Sequence, residues 1–217
     1  MAVVGAFFAV RPAAAAAEPR PLDADGSIPR WLVLAAIPLP EAAAMAHAEA
    51  AQKPVFDREY FKGQATVTPK DNDRVKVGDA ELVWQTARAA DGVVDLQKLA
   101  FEAGRGSDHA LFLGVAYVIA EKPVDGVVLS TGSDDGSAWW VNGREVGRVY
   151  AGRAAGKDQD KSGPLSLKQG VNVVRFAVIN GEGQAAATAR FVDKAGKPVP
   201  GLKVTLDPPA AATRPAR

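Results

Sequence analysis

From position 30 onward the chain breaks into short apolar runs separated by Gly, Pro, Asn and Asp, and hardly any run after position 60 has helical spacing. Trp31-Leu32-Val33-Leu34-Ala35-Ala36-Ile37, closed by Pro38, predicts a buried first strand. Glu41 to Gln52 is rich in Ala, Glu, Met and Gln, all good helix formers, and predicts one short N-terminal helix with His47 on its surface. Phe56 to Gly63 mixes charged and aromatic side chains and predicts a covering segment laid across the fold. Leu82 to Gln85 reads as a strand anchored in the core by Trp84, and Val93 to Leu96 as another short extended piece. Between Ala110 and Ile119 both alternating sets of positions are apolar, which predicts a central strand covered on each side. Val127 to Ser130, Ser137 to Asn142 and Arg144 to Tyr150 follow as strands. Val173 to Ile179 and Ala185 to Val192 are predicted to pair as a hairpin across Asn180-Gly181-Glu182-Gly183, and Leu202 to Leu206 to add an edge strand. Many short strands with turn residues between them make an all-β sandwich the expected fold class.

The ends differ from the middle, so the 217 residues read as one folded domain with flexible margins. The expected division is a leader at 1–17, a linker at 18–29, the sandwich at 30–206 and a disordered Pro- and Ala-rich tail at 207–217. In the leader a short apolar run, Ala2 to Val10, precedes Arg11-Pro12 and five alanines ending in an A-x-A-like site before Glu18. This resembles the end of a secretory signal peptide, although the basic segment that ordinarily comes first is missing, and it predicts a secreted or periplasmic protein. The run is too short to cross a bilayer, which takes about 20 apolar residues.

Charge and composition then narrow the chemistry. Lys and Arg number 26 against 25 Asp and Glu, so no global field attracts nucleic acid or an anionic membrane. Cysteine is absent, which removes disulfides and thiolate chemistry, and with only His47 and His109 a multi-histidine metal site is excluded within one chain.

The densest pattern is Ser133-Asp134-Asp135-Gly136-Ser137-Ala138-Trp139-Trp140-Val141-Asn142-Gly143-Arg144-Glu145-Val146. Asp side chains accept neighbouring backbone N–H groups and Gly supplies positive φ, so the Asp-Asp-Gly stretch predicts a tight turn. Alternation then puts Ala138, Trp140 and Asn142 on one face and Ser137, Trp139 and Val141 on the other, so the two indoles point opposite ways. Asn142-Gly143 predicts a two-residue turn of type I′. Beyond it, Lys168-Gln169-Gly170-Val171-Asn172 precedes the strand containing Phe176 and Val178. The turn, the aromatic strand, Val-Asn-Gly-Arg-Glu-Val and Lys-x-Gly-x-Asn, over roughly Val124 to Asn180, resemble the galactose-binding-like jelly rolls. The similarity is to the non-catalytic sugar-binding domain of family 2 glycoside hydrolases and, in the Asp-Asp-Gly turn, to PA14 modules. The resemblance implies an antiparallel jelly-roll β-sandwich that recognises carbohydrate or packs against a neighbouring domain, sometimes with a structural Ca²⁺. These 217 residues hold no pattern expected of a hydrolase domain, and one fold hosts many roles, so a family-level sugar site does not transfer automatically.

A sugar site offers an aromatic platform to the C–H face of a pyranose with a few polar groups around it. Trp140 is the candidate platform, with Asn142 and Arg144 as polar neighbours; the competing reading packs Trp140 under the loop Gly152 to Gly163. Asp134 and Asp135 are the candidate Ca²⁺ ligands, with Asp125, Asp158 and Asp160 as residues that could converge with them, at a spacing unlike an EF-hand. No cofactor is otherwise expected. Adjacent aspartates do not suit the separated acid and nucleophile of a glycosidase. Ser107-Asp108-His109 holds the letters of a hydrolase triad but no G-x-S-x-G elbow, so no catalytic residue is expected. Arg144, Arg148, Arg153, Lys157 and Lys161, interrupted by Asp158 and Asp160, read as a solvated mixed-charge region. The function expected is a non-catalytic carbohydrate-binding module of an exported bacterial protein. The alternative is a structural or protein-interaction sandwich in an envelope or extracellular assembly.

Overall fold

A computed structural model describes residues 18–209. The leader at 1–17 and positions 210–217 of the expected tail lie outside the described residues. In chain order the elements are β1 (Arg20–Pro21), β2 (Arg30–Pro38), α1 (Glu41–Met45), α2 (Glu49–Asp57), a 3₁₀ turn (Gln64–Thr66), β3 (Arg74–Val77), β4 (Ala80–Arg88), β5 (Val93–Asp95) and α3 (Leu96–Glu102). Then come β6 (Ala110–Ala120), β7 (Val124–Asp134), β8 (Ser137–Val141), β9 (Arg144–Val149), β10 (Asp160–Lys161), β11 (Leu165–Leu167), β12 (Gly170–Asn180), β13 (Ala186–Val192) and β14 (Leu202–Thr205).

The strands form two antiparallel sheets. The first has the order β3-β4-β2-β6-β12-β8-β9, with β14 on β6 and β1 on β14; the second is β10-β7-β13-β5, with β11 on β7. The chain crosses between sheets at β6 to β7 to β8 and again at β12 to β13 to β14, which gives the jelly-roll-like sandwich its character. Strand β6 is central, as its doubly apolar pattern predicts, and pairs with β2, β12 and β14.

Two hydrophobic layers explain why β6 is apolar on both faces. Between the sheets, Trp31, Phe112, Trp139, Phe176 and Phe191 are buried. Phe176 lies 5.1 Å from the Trp31 ring and 5.3 Å from that of Trp139, and a Cβ on Gly114 would come within 2.1 Å of its ring. Position 114 is therefore glycine because an aromatic ring crosses the strand there. On the outer face of the first sheet, Leu34, Phe56, Trp84, Leu113, Tyr117 and Ile179 form a second layer. It is roofed by α1, α2 and the following segment, so the predicted cover over Phe56 to Gly63 is present. The Tyr117 hydroxyl donates to the Pro69 carbonyl (2.7 Å) and pins the roof to the sheet.

Several expectations need correction. The single helix expected over Glu41 to Gln52 is two, broken at Ala46 to Ala48. Helix propensity is uniform across this Ala-rich run, but α1 buries Ala44 while α2 buries Gln52, Val55 and Phe56, and these tertiary contacts set the break. The stretch 18–29 is part of the fold rather than a linker. Arg20 pairs with Val204, the Ile28 N–H donates to the Ala189 carbonyl (3.0 Å), and Ile28 is buried. Helix α3 was not foreseen; Asp95 caps it by accepting from the Lys98 N–H (2.8 Å). Asn180 to Gly183 does not close a hairpin, because β12 and β13 belong to opposite sheets. Each strand finds longer partners elsewhere: β12 pairs with β6 and β8, and β13 with β7 and β5. Of the expected tail, Asp207 to Pro209 are half-buried against the body.

Candidate functional site

Strand register assembles the candidate site on the outer face of the first sheet. One row across the strands runs Glu145, Trp140, Arg175, Val115 and Leu32. The next runs Arg148, Ala138, Ala177, Leu113, Leu34 and Trp84. Ala177 is small, so the second row dips beside Leu113. Phe56 to Val67 arches above the dip and encloses a cavity of about 440 Å³. Its lining includes Trp140, Arg175, Ala177, Leu113, Trp84 and Phe56.

The adjacent tryptophans point opposite ways, as alternation requires. Trp139 is 2% exposed in the inter-sheet core, with its indole N–H donated to the Ser137 hydroxyl (3.0 Å). Trp140 is half-buried, packed against the outer layer and open to the cavity. Its cover is the segment around Phe56 to Val67 rather than the loop Gly152 to Gly163.

Charges around the cavity are mostly paired. Arg148 makes a bidentate pair with Glu145 (2.9 and 2.6 Å) and reaches Asp57 (2.6 Å), while Lys53 pairs with Asp57 on the outside. These bonds, first to Glu145 and then to Asp57, raise the pKa of Arg148 and keep it charged. Bonds from Lys53 and Arg148 lower the Asp57 pKa. At the rim, Glu59 accepts from the Gly63 N–H (2.6 Å) and Arg58 sits 5.2 Å from the centre of the Tyr60 ring.

Asn142 and Arg144 are exposed and lie outside the cavity lining. Asn142 has φ of 53° and Gly143 of 82°, the left-handed pair that a type I′ turn demands. The Asn142 side chain accepts from the Val173 N–H (3.0 Å) and donates to Asn172 Oδ1 (2.8 Å), so its polar groups tie the β8–β9 turn to β12. Sequence reasoning missed Arg175, which lines the cavity. Its signal was available: Val171, Val173, Arg175, Ala177 and Ile179 alternate along β12, and a lone guanidinium in that apolar series is out of pattern.

Asp134 and Asp135, joined by a cis peptide, sit where the chain crosses from β7 to β8 at one end of the sandwich, away from the cavity. Both are buried. Asp135 accepts from the Arg153 N–H at one carboxylate oxygen and from the Gly181 N–H at the other, each at 2.8 Å, while its own N–H donates to Ile179 (2.7 Å). It therefore staples two loops to the crossover. The Asp134 carboxylate receives no hydrogen bond among the described residues, and burial, helped by the charge of Asp135, pushes its pKa up to about 6.

A Ca²⁺ ion takes six to eight oxygens. Both Asp135 oxygens already accept backbone N–H groups, and among the described residues no group of three or more His, Asp or Glu could hold a metal. Asp158 pairs with Arg190, Asp160 with Arg153, and Asp125 accepts from Ser166, so none of them completes a set around Asp134. The donor set does not fit Ca²⁺. Nor do Ser107, Asp108 and His109 form a relay: the Asp108 carboxylate accepts from the Gly183 N–H (3.0 Å), and His109 Nε2 faces Glu182 (3.5 Å).

No family model matches the sequence, and no curated protein matches it significantly. Among solved structures, the chain is similar to the PA14 domain of the MpAFP antifreeze protein, with a TM-score of 0.42 and 12% identity over 91% of this chain and 93% of that one. It is also similar to a β-glucosidase from Kluyveromyces marxianus, with a TM-score of 0.41 and 15% identity over 57% of this chain. The match covers 16% of the β-glucosidase, so the chain corresponds to a small part of that protein's length.

Proposed function

We propose that this chain is an exported, non-catalytic carbohydrate-binding module whose site is the cavity over Trp140. The observation that carries the reading is a half-buried indole, fixed in position by the sheet, in a cavity of about 440 Å³ edged by charged side chains. That volume lies within the range of small-ligand sites, and an apolar surface with a few convergent polar groups is what a pyranose ring needs. The absence of turnover is part of the proposal. A glycosidase needs one carboxyl kept protonated near neutral pH, whereas Asp57 is pushed towards ionisation and Glu145 is held in a bidentate pair. No helix among the described residues is long and apolar enough to cross a membrane. Export rests on the leader sequence alone.

Affinity electrophoresis through gels containing single polysaccharides tests the reading. Retardation by at least one polysaccharide, lost in Trp140→Ala with its circular dichroism spectrum unchanged, is expected. No retardation in any gel would leave the protein-interaction alternative in its place.

A further inference from the structure

Resting on that carbohydrate reading, we infer that the cavity selects an acidic sugar, with the carboxylate of a uronic acid received by Arg175 while the pyranose face lies on Trp140. Arg175 is the direct cross-strand partner of Trp140, so their Cβ atoms stand about 5 Å apart on one face of the sheet. A ring stacked on that indole carries its C5 substituent within reach of the guanidinium. In a uronic acid that substituent is a carboxylate.

Arg175 differs from the other cations of the cavity in what it lacks. Arg148 has Asp57 and Glu145, and Arg58 lies at the exposed rim over Tyr60. Arg175 has no ion pair among the described residues and stacks on no aromatic ring there. Its Nη2 donates to the Val67 carbonyl (2.7 Å), its Nε is buried with no partner, and its Nη1 makes no hydrogen bond. Desolvation lowers its pKa, the direction expected for a guanidinium withdrawn from water without a counter-charge. Opposing carboxylates do not meet this demand: Asp57 and Glu145 are engaged by Arg148, and Glu59 stands at the rim, bonded to the Gly63 N–H and making no ion pair with Arg175. With Nε turned into the protein and one Nη2 N–H held by Val67, Nη1 and the second Nη2 N–H remain to meet a ligand end-on. Planar carboxylate oxygens match that fork geometry.

The Val67 contact also fixes Arg175 to the roof segment that closes the cavity. The anion site and the lid of the sugar site therefore share one side chain. Neutral sugars would leave the half-buried guanidinium uncompensated, which is how a site built around one charge discriminates against the uncharged analogue.

The test uses the full chain and matched polymers. Dissociation constants are measured by affinity electrophoresis and calorimetry for polygalacturonate, alginate, glucuronoxylan and hyaluronan, and for the same polymers after reduction of their carboxyls to alcohols. The expected result is binding to at least one uronate polymer, at least tenfold weaker for its reduced form and weakened by salt. Arg175→Gln should erase the preference and Arg175→Lys retain part of it. Because the polymer comparison uses the unaltered protein, it stands even if a variant folds poorly. Equal affinity for native and reduced polymers overturns the acidic-sugar inference and leaves the carbohydrate reading intact. Retention by a sulfated galactan but by no uronate polymer overturns it as well. No retention by any polysaccharide, acidic or neutral, overturns both.

Discussion

Trp139 and Trp140 are neighbours in sequence, identical in chemistry, and assigned to different tasks by the pleat of one strand. Trp139 enters the layer between the sheets, where Trp31 and Phe176 close over it and Ser137 satisfies its indole N–H. Trp140 enters the opposite layer, where the small Ala177 lies on the next strand and the roof stands off enough to leave a cavity. The difference lies in what the neighbouring rows provide, not in the residue. An indole surrounded by large apolar side chains stabilises the fold, whereas one beside a small alanine and an arginine with no ion pair among the described residues keeps a face available.

The largest effect that can break this comparison is Trp139→Ala, which should cost about 3–5 kcal/mol in urea unfolding through the cavity it leaves among Trp31 and Phe176. A loss below 1 kcal/mol would mean the inter-sheet layer does not depend on it. Asp135→Ala comes next, at about 2–4 kcal/mol, because it strands the Arg153 and Gly181 amides at the crossover that delivers both tryptophans. Ca²⁺ should leave the melting temperature of the unaltered protein unchanged; a rise on its addition would reinstate the metal.

Asp134 acts in the other direction and through pH. Its carboxyl titrates near 3.8 in the unfolded chain and near 6 in the folded one, so its stabilising contribution is complete below the lower value and is lost as pH rises through the upper one. Asp134→Asn should therefore raise stability at pH 7, by up to about 2 kcal/mol once solvent screening is allowed for, and flatten the pH dependence between those two values. A melting temperature that falls at pH 7 in this variant would contradict the buried, unbonded carboxylate. The smallest effect on stability, about 1–2 kcal/mol, is expected for Trp140→Ala, since its side chain is only half-buried. Its effect should appear in glycan binding instead.

Much of this arrangement was legible in the residues. The apolar run of β2, the doubly apolar β6, the Asn142-Gly143 turn and the opposition of the two indoles all follow from period and turn chemistry. What stayed hidden depends on pairing between distant segments. Asn180 to Gly183 has the composition of a hairpin loop, and only the sheet order shows that it crosses between sheets. Asp134 and Asp135 read alike in sequence, yet one accepts two amides and the other none, because the amide donors come from residues 153 and 181. Trp140 was identifiable, but its polar partners were sought along its own hairpin at Asn142 and Arg144. The register places the guanidinium beside it on the next strand, at Arg175.

The most direct test follows the indole N–H resonances of the four tryptophans in a ¹⁵N-labelled sample, assigned by single Trp→Phe variants, as a retained oligosaccharide is titrated in. The structure predicts a saturable shift at Trp140, with Trp139 and Trp31 unmoved in the sealed layer. A titration that shifts other resonances while Trp140 stays still would place the ligand elsewhere and contradict the assignment of the site.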